Sequence, residues 1–163
     1  MTDERIGEGL MHAIARLPKG SGIIFRHYSL APAARRKLFD QVKRAAKARR
    51  MTLILAGDQA WPADGSHRRS PKRSRTIQTA AVHSVRERIA AERSGVDLLF
   101  VSPIYPTQSH PGGKALGRIG MGRIINGART PIIALGGMTK ERARGLGRSI
   151  YGWAAISALM PKA

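Results

Sequence analysis

The chain has 163 residues, with 29 Lys plus Arg against 10 Asp plus Glu, a formal charge of +19. Its length fits one domain spanning residues 1–163, and a hydrophobic fraction of 42% is enough for a core, which excludes a disordered basic tail. The absence of cysteine excludes disulfide staples, thiolate zinc sites and thiol nucleophiles together. No apolar run reaches the roughly 18–20 residues that a membrane-crossing helix needs. Asp3, Glu4 and Glu8 stand where a secretory signal would be basic and then apolar. These features read as a soluble, cytoplasmic protein.

The predicted elements alternate in chain order. Short apolar runs over 22–28, 51–57, 75–83, 96–102, 130–135 and 150–156 read as buried strands, separated by amphipathic stretches. In 31–49, Leu38, Val42, Ala45 and Ala46 recur at helical spacing, Pro32 sits in the first turn, and Arg35, Arg36, Lys37, Lys43, Arg44 and Lys47 fill the other face. Ser84-Val85-Arg86-Glu87 is a capping box that starts a helix; Val85 and Ile89 fall one turn apart on it, and Gly95 closes it. A helix follows over 116–125, and a short one starts near Thr139, whose hydroxyl caps the first turn.

The repeated β-then-α order fits a doubly wound sheet or a (β/α)8 barrel. Length disfavours the barrel, which typically takes about 200 residues or more. The last two runs, however, end in Leu135-Gly136-Gly137-Met138 and Ala155-Ile156-Ser157. Small-residue turns at those strand ends are where barrels hold a phosphate. The expected class is therefore α/β, TIM barrel-like.

Several side chains stand out against this frame. Arg26 lies in the apolar run Ile23-Ile24-Phe25, where a charge is costly unless it faces a pocket or an anion. His83 ends a strand, at the level of a barrel's catalytic groups, and its imidazole can move protons near neutral pH. Asp58 follows Leu53-Ile54-Leu55-Ala56-Gly57, where a carboxylate either caps a turn or holds a magnesium ion against phosphate oxygens. The segment 101–114, with three prolines, is long enough to carry function. Its Gly113-Lys114 is not a P-loop, because Ala115 replaces the required hydroxyl residue. The basic clusters of the 31–50 helix and of Arg68, Arg69, Lys72, Arg73 and Arg75 would suit nucleic acid, but at 5% aromatic content stacking residues are scarce.

Over nearly its whole length the chain resembles the thiamine phosphate synthase and TenI-like family. The matching blocks are Phe25-Arg26, Ala63-Asp64-Gly65-Ser66-His67, Val82-His83-Ser84, Ser94-Gly95-Val96-Asp97, Pro103-Ile104-Tyr105-Pro106-Thr107-Gln108-Ser109, Pro131 through Met138, and Ala155-Ile156-Ser157-Ala158. The resemblance implies a thiamine-pathway barrel whose synthases join hydroxymethylpyrimidine diphosphate to a thiazole phosphate, releasing pyrophosphate with Mg2+. It places the thiazole phosphate on Gly136, Gly137, Ile156 and Ser157, and substrate on Arg26, Thr107, Ser109 and His110. It makes His83 and Arg26 catalytic and Asp58 the metal ligand. The alternatives are a TenI-like thiazole tautomerase using His83 as acid and base, a degenerate phosphate binder, and a nucleic-acid-binding module.

The same resemblance shows departures. Ile24, His27 and Tyr28 replace the glutamine, glutamate and lysine of the family's strand motif. Gly57 replaces an asparagine, Arg68 through Lys72 replace the block with a second metal carboxylate, Ala81 replaces a serine, and His110 replaces a lysine. Most of the family's first strand is missing before Met1-Thr2-Asp3, and its third helix is deleted between Asp58 and Ala63. The expectation is that upstream sequence supplies the strand, or that the barrel is open or a homo-oligomer, because an unpaired strand edge is an aggregation hazard.

Overall fold

The computed structural model describes residues 1–68, 75–107 and 112–156. Apolar alternation sets the architecture. Strands β1 (Gly22–Phe25), β2 (Thr52–Ala56), β3 (Gly65–His67), β4 (Ile77–Val82), β5 (Leu98–Val101), β6 (Ile132–Leu135) and β7 (Gly152–Ala154) form one sheet in chain order. Every pairing is parallel, with Ile24 opposite Ile54, Thr79 opposite Leu98 and Val101 opposite Ala134.

Because side chains alternate across a strand, each strand feeds two cores. Ile24, Ile54, Ala56 and Phe100 line the inside of the curled sheet, with Ile77, Leu98, Ile133 and Leu135 packed against them. The alternate residues face outward in two clusters. Ile23, Phe25, Leu53 and Leu55 meet the 3-10 turns of Glu4–Gly9, α1 (Leu10–Arg16) and α2 (Pro32–Ala48). Ala80, Val82, Leu99, Val101, Ile132 and Ala134 meet α3 (Val85–Arg93), α4 (Gly117–Ile125) and α5 (Lys140–Leu146).

The expected strands and helices are present with trimmed ends, and β3 is an addition. The span 57–64 carries no helix, which agrees with the deletion. The outer face of β2, β3 and β4 is left as a groove of ≈ 490 Å3 lined by Leu55, Trp61, Ala63, Ser66 and Gln78. Two helix faces differ from expectation. On α2, Arg35 is not on the solvent face but 5% exposed, donating to the carbonyls of Arg26 (3.0 Å) and Ala56 (2.9 Å) and to Gln59 Oε1. On α3, Val85 and Ile89 are exposed, and Arg88 and Ala91 are buried instead. Arg88 can go inside because Glu92 pairs with it at 2.5 Å, while the other Glu92 oxygen accepts the Arg129 and Thr130 N–H groups at 2.8 and 3.2 Å.

The two edges of the curled sheet meet at one end only. The Met1 amino group donates to the Ala155 carbonyl at 2.8 Å, and the Thr2 N–H donates to the Ile24 carbonyl at 2.8 Å. Beneath this bridge, a cavity of ≈ 270 Å3 separates β1 from β7, lined by Ile6, Leu10, Ile14, Ile23 and Trp153. No helix among the described residues is long and apolar enough to cross a membrane.

Candidate functional site

The inward register carries through to the strand ends and builds the site. Arg26 follows Ile24 by two residues, His83 follows Ala81 by two, and Ser102 follows Phe100 by two, so all three continue the inside face at its C-terminal mouth. With Pro103, Thr107, Gly113, Lys114, Leu135, Gly136, Gly137, Met138, Ala155 and Ile156 they line one cavity of ≈ 250 Å3. The structure thus brings together Arg26, His83, Thr107, Gly136, Gly137 and Ile156 from the expected set. Ser109, His110 and Ser157 lie outside the described residues.

Each wall has a local cause. The Arg26 backbone is held on both sides, its N–H donating to Thr2 Oγ1 at 2.9 Å and its carbonyl accepting from Arg35. The capping box of α3 forms with a shift: Ser84 Oγ accepts the Glu87 N–H at 3.2 Å, but the Glu87 carboxylate takes the His83 N–H, at 2.7 Å, rather than that of Ser84. His83 Nδ1 lies 2.6 Å from the Ser102 carbonyl. A carbonyl only accepts, so Nδ1 carries the proton of the neutral ring and Nε2 carries its lone pair.

The glycine turn is bonded to the proline-rich loop. The Ile104 N–H donates to the Leu135 carbonyl (2.9 Å) and the Tyr105 N–H to the Gly136 carbonyl (3.1 Å), extending the β5–β6 pairing past the sheet. The peptide between Ser102 and Pro103 is cis. Gly136 and Gly137 have φ of +94° and +58°. A Cβ on Gly136 would stand 2.7 Å from Pro103 Cα, and one on Gly137 would stand 2.5 Å from the Pro106 carbonyl oxygen. Residues 103–106 leave no space for a side chain at either position, so the close packing of the loop on the turn requires glycine.

Magnesium does not fit what the described residues present. The Asp58 side chain is 94% exposed, outside the cavity, with the Arg68 guanidinium 3.6 Å away. Asp3 is held by Arg5 at 2.6 and 3.0 Å, and that pairing keeps its carboxyl below the usual carboxylate range. Among the described residues, no three His, Asp or Glu side chains gather as a metal site.

Two features escaped sequence reasoning. Lys114 lines the cavity although its P-loop reading fails, and only the course of residues 112–116 past the mouth reveals it. Below the mouth, His67 is half-buried against Phe100, with ring centroids 5.3 Å apart. Its Nδ1 is 2.8 Å from Thr79 Oγ1, whose own proton goes to the Ser66 carbonyl, so Nδ1 is the donor. Burial, helped by the positive charges of Arg26 and the amino terminus, pushes this imidazole down to about 4.

A family model described as thiamine monophosphate synthase matches residues 2–159. The thiamine-phosphate synthase of Pyrococcus furiosus is 34% identical over 82 residues, covering 50% of this chain and 40% of that protein. The thiamine-phosphate synthase of Geobacillus kaustophilus is 33% identical over 131 residues, covering 71% of this chain and 59% of that protein. The chain thus spans between two and three fifths of the length of these curated relatives. Among solved structures, a thiamine phosphate pyrophosphorylase from Pyrococcus furiosus matches with a TM-score of 0.80 at 22% identity, covering 99% of this chain and 85% of that one. The structure of FabK from Thermotoga maritima matches at 0.62 and 15% identity, over 83% of this chain and 50% of that one. Both likenesses establish the fold.

Proposed function

Since the chain belongs to the thiamine monophosphate synthase family, we propose that it joins hydroxymethylpyrimidine diphosphate to a thiazole phosphate, releasing pyrophosphate, as a cytoplasmic step of thiamine biosynthesis. The observation that carries this reading is one cavity in which the Gly136–Gly137 turn and the end of β7 face two cationic side chains, Arg26 and Lys114. In this reading the backbone at Gly136, Gly137 and Ile156, with Ser157 beyond, binds the thiazole phosphate. Leu135, Pro103 and Met138 supply the apolar wall for the ring, and Thr107, Ser109 and His110 flank the substrate.

Chemistry assigns the rest. As the carbon–oxygen bond to diphosphate breaks, the leaving group takes the electron pair and negative charge grows on its oxygens. Arg26 and Lys114 are the groups that offset this charge, and a fixed cation does so without reorganising. His83, its ring fixed through Nδ1, offers the Nε2 lone pair as an acceptor for a proton at the reacting centre. Relatives named thiamine-phosphate synthase suggest Mg2+ chemistry by family, but with Asp58 turned to solvent no step here is routed through a metal.

The test is thiamine phosphate formation from the two substrates by the purified chain, with and without Mg2+. Product is expected, falling by roughly 100-fold in Arg26→Ala. A folded sample that binds thiazole phosphate but yields no product overturns the synthase reading and leaves a tautomerase or a noncatalytic binder.

A further inference from the structure

The two glycine-turn peptides that face the cavity are gripped from behind. The Gly136 carbonyl accepts from the Tyr105 N–H at 3.1 Å. The Gly137 carbonyl accepts from Arg142 Nη1. The Arg142 guanidinium carbon also sits 4.6 Å from the centroid of the Tyr105 ring, so both grips lie on the Tyr105 side of the turn. Arg142 is exposed, lies in the first turn of α5 where its N–H donates to Thr139 Oγ1 at 3.2 Å, and is not part of the cavity wall.

In a planar trans peptide the C=O and the following N–H point in opposite directions. Fixing the Gly136 and Gly137 carbonyls on the Tyr105 side therefore turns the Gly137 and Met138 N–H groups away from it, and Gly137 and Met138 line the cavity. Among the described residues neither N–H has a backbone acceptor. Two successive N–H groups facing the same way make a concavity for an anion. Glycine at positive φ is free to swing these peptides the other way, so something must hold them.

We infer that Arg142 is a positioning residue for phosphate binding: without touching the ligand, it locks the Gly137–Met138 peptide so that the Met138 N–H is presented to a phosphate group. This rests on the phosphate site proposed above. The stacking on Tyr105 fixes the guanidinium plane, and the charge–dipole hydrogen bond fixes the carbonyl.

The experiment measures inorganic phosphate affinity by titration, together with the amide NMR shift of Met138, in the full chain and in Arg142→Ala, Arg142→Lys and Arg148→Ala. Arg148, an exposed arginine beyond the end of α5, controls for the loss of one positive charge. Arg142→Ala is expected to weaken phosphate binding by about tenfold and to abolish the phosphate-induced shift at Met138. Arg142→Lys, which keeps a donor but not the stacked plane, falls between the two, and Arg148→Ala stays within about twofold. Wild-type affinity and a wild-type Met138 response in Arg142→Ala overturn the inference while leaving the phosphate site standing. Equal weakening in Arg142→Ala and Arg148→Ala also overturns it, as a bulk charge effect. Absence of phosphate binding in the unsubstituted chain removes the site and the inference together.

Discussion

The half of the sheet from β5 to β7 and the half from β1 to β3 carry the two ends of the proposed reaction, and they are built differently. On the first, the proline-rich loop and the glycine turn continue the strand pairing beyond the sheet, and helices α3 to α5 close one outer core. On the second, the helix between β2 and β3 is absent, a groove of ≈ 490 Å3 opens behind β3, and Asp58 extends into solvent. The contrast teaches that a barrel frame tolerates the loss of a helix wherever the parallel ladder stays intact. The tightest backbone contacts at the mouth are concentrated where two loops meet.

The sharpest way to break this comparison is Gly136→Val. Its Cβ would enter the Pro103 backbone at 2.7 Å from a φ of +94°, and a loss of about 4 kcal/mol in urea unfolding is expected, with phosphate binding lost. A wild-type melt would mean that the two loops are not tightly coupled. Next, Glu92→Ala strands the buried Arg88 guanidinium and frees the Arg129 and Thr130 N–H groups, at a cost of about 3 kcal/mol measured in the same way.

The open half has its own signature, in pH. His67 is neutral when folded, its pKa pushed down from 6.5 to about 4 by burial, whereas the unfolded chain protonates near 6.5. The unfolded state therefore binds more protons between these values. Stability is full above pH 6.5 and falls as the pH drops toward 4, by up to about 3 kcal/mol. Denaturant midpoints across that range check this, and His67→Gln should flatten the slope. The smallest effect is Asp58→Ala, expected to change stability by less than about 0.5 kcal/mol. It should also leave any Mg2+ dependence of product formation unchanged. A large loss there would show that the open half assembles around substrate.

Reading these elements from sequence worked where apolar residues alternate and failed where polar groups are buried in pairs. Leu53-Ile54-Leu55-Ala56 announces β2, whereas Gly65-Ser66-His67 offers no apolar run; β3 is held by β4 side chains, Gln78 Oε1 accepting from Ser66 Oγ and Thr79 Oγ1 accepting from His67 Nδ1 within the ladder. The apolar spacing of Val85 and Ile89 does not mark the buried face of α3, since the Arg88–Glu92 pair takes the inside. At the site, the strand-end positions of Arg26 and His83 and the tandem glycine were legible. The direction of the Asp58 side chain, the approach of Lys114 and the grip of Arg142 depend on loop paths that no local pattern encodes.

The strictly sequential strand order bears on how this chain reaches its native state. Each ladder joins neighbours in sequence, so assembly can spread from any adjacent pair at a modest entropic cost of loop closure. The hydrogen bond from Met1 to Ala155 spans 154 residues and gains nothing until the ends of the sheet have curled together. That distant latch is the step expected to form last and to open first, before any strand separates.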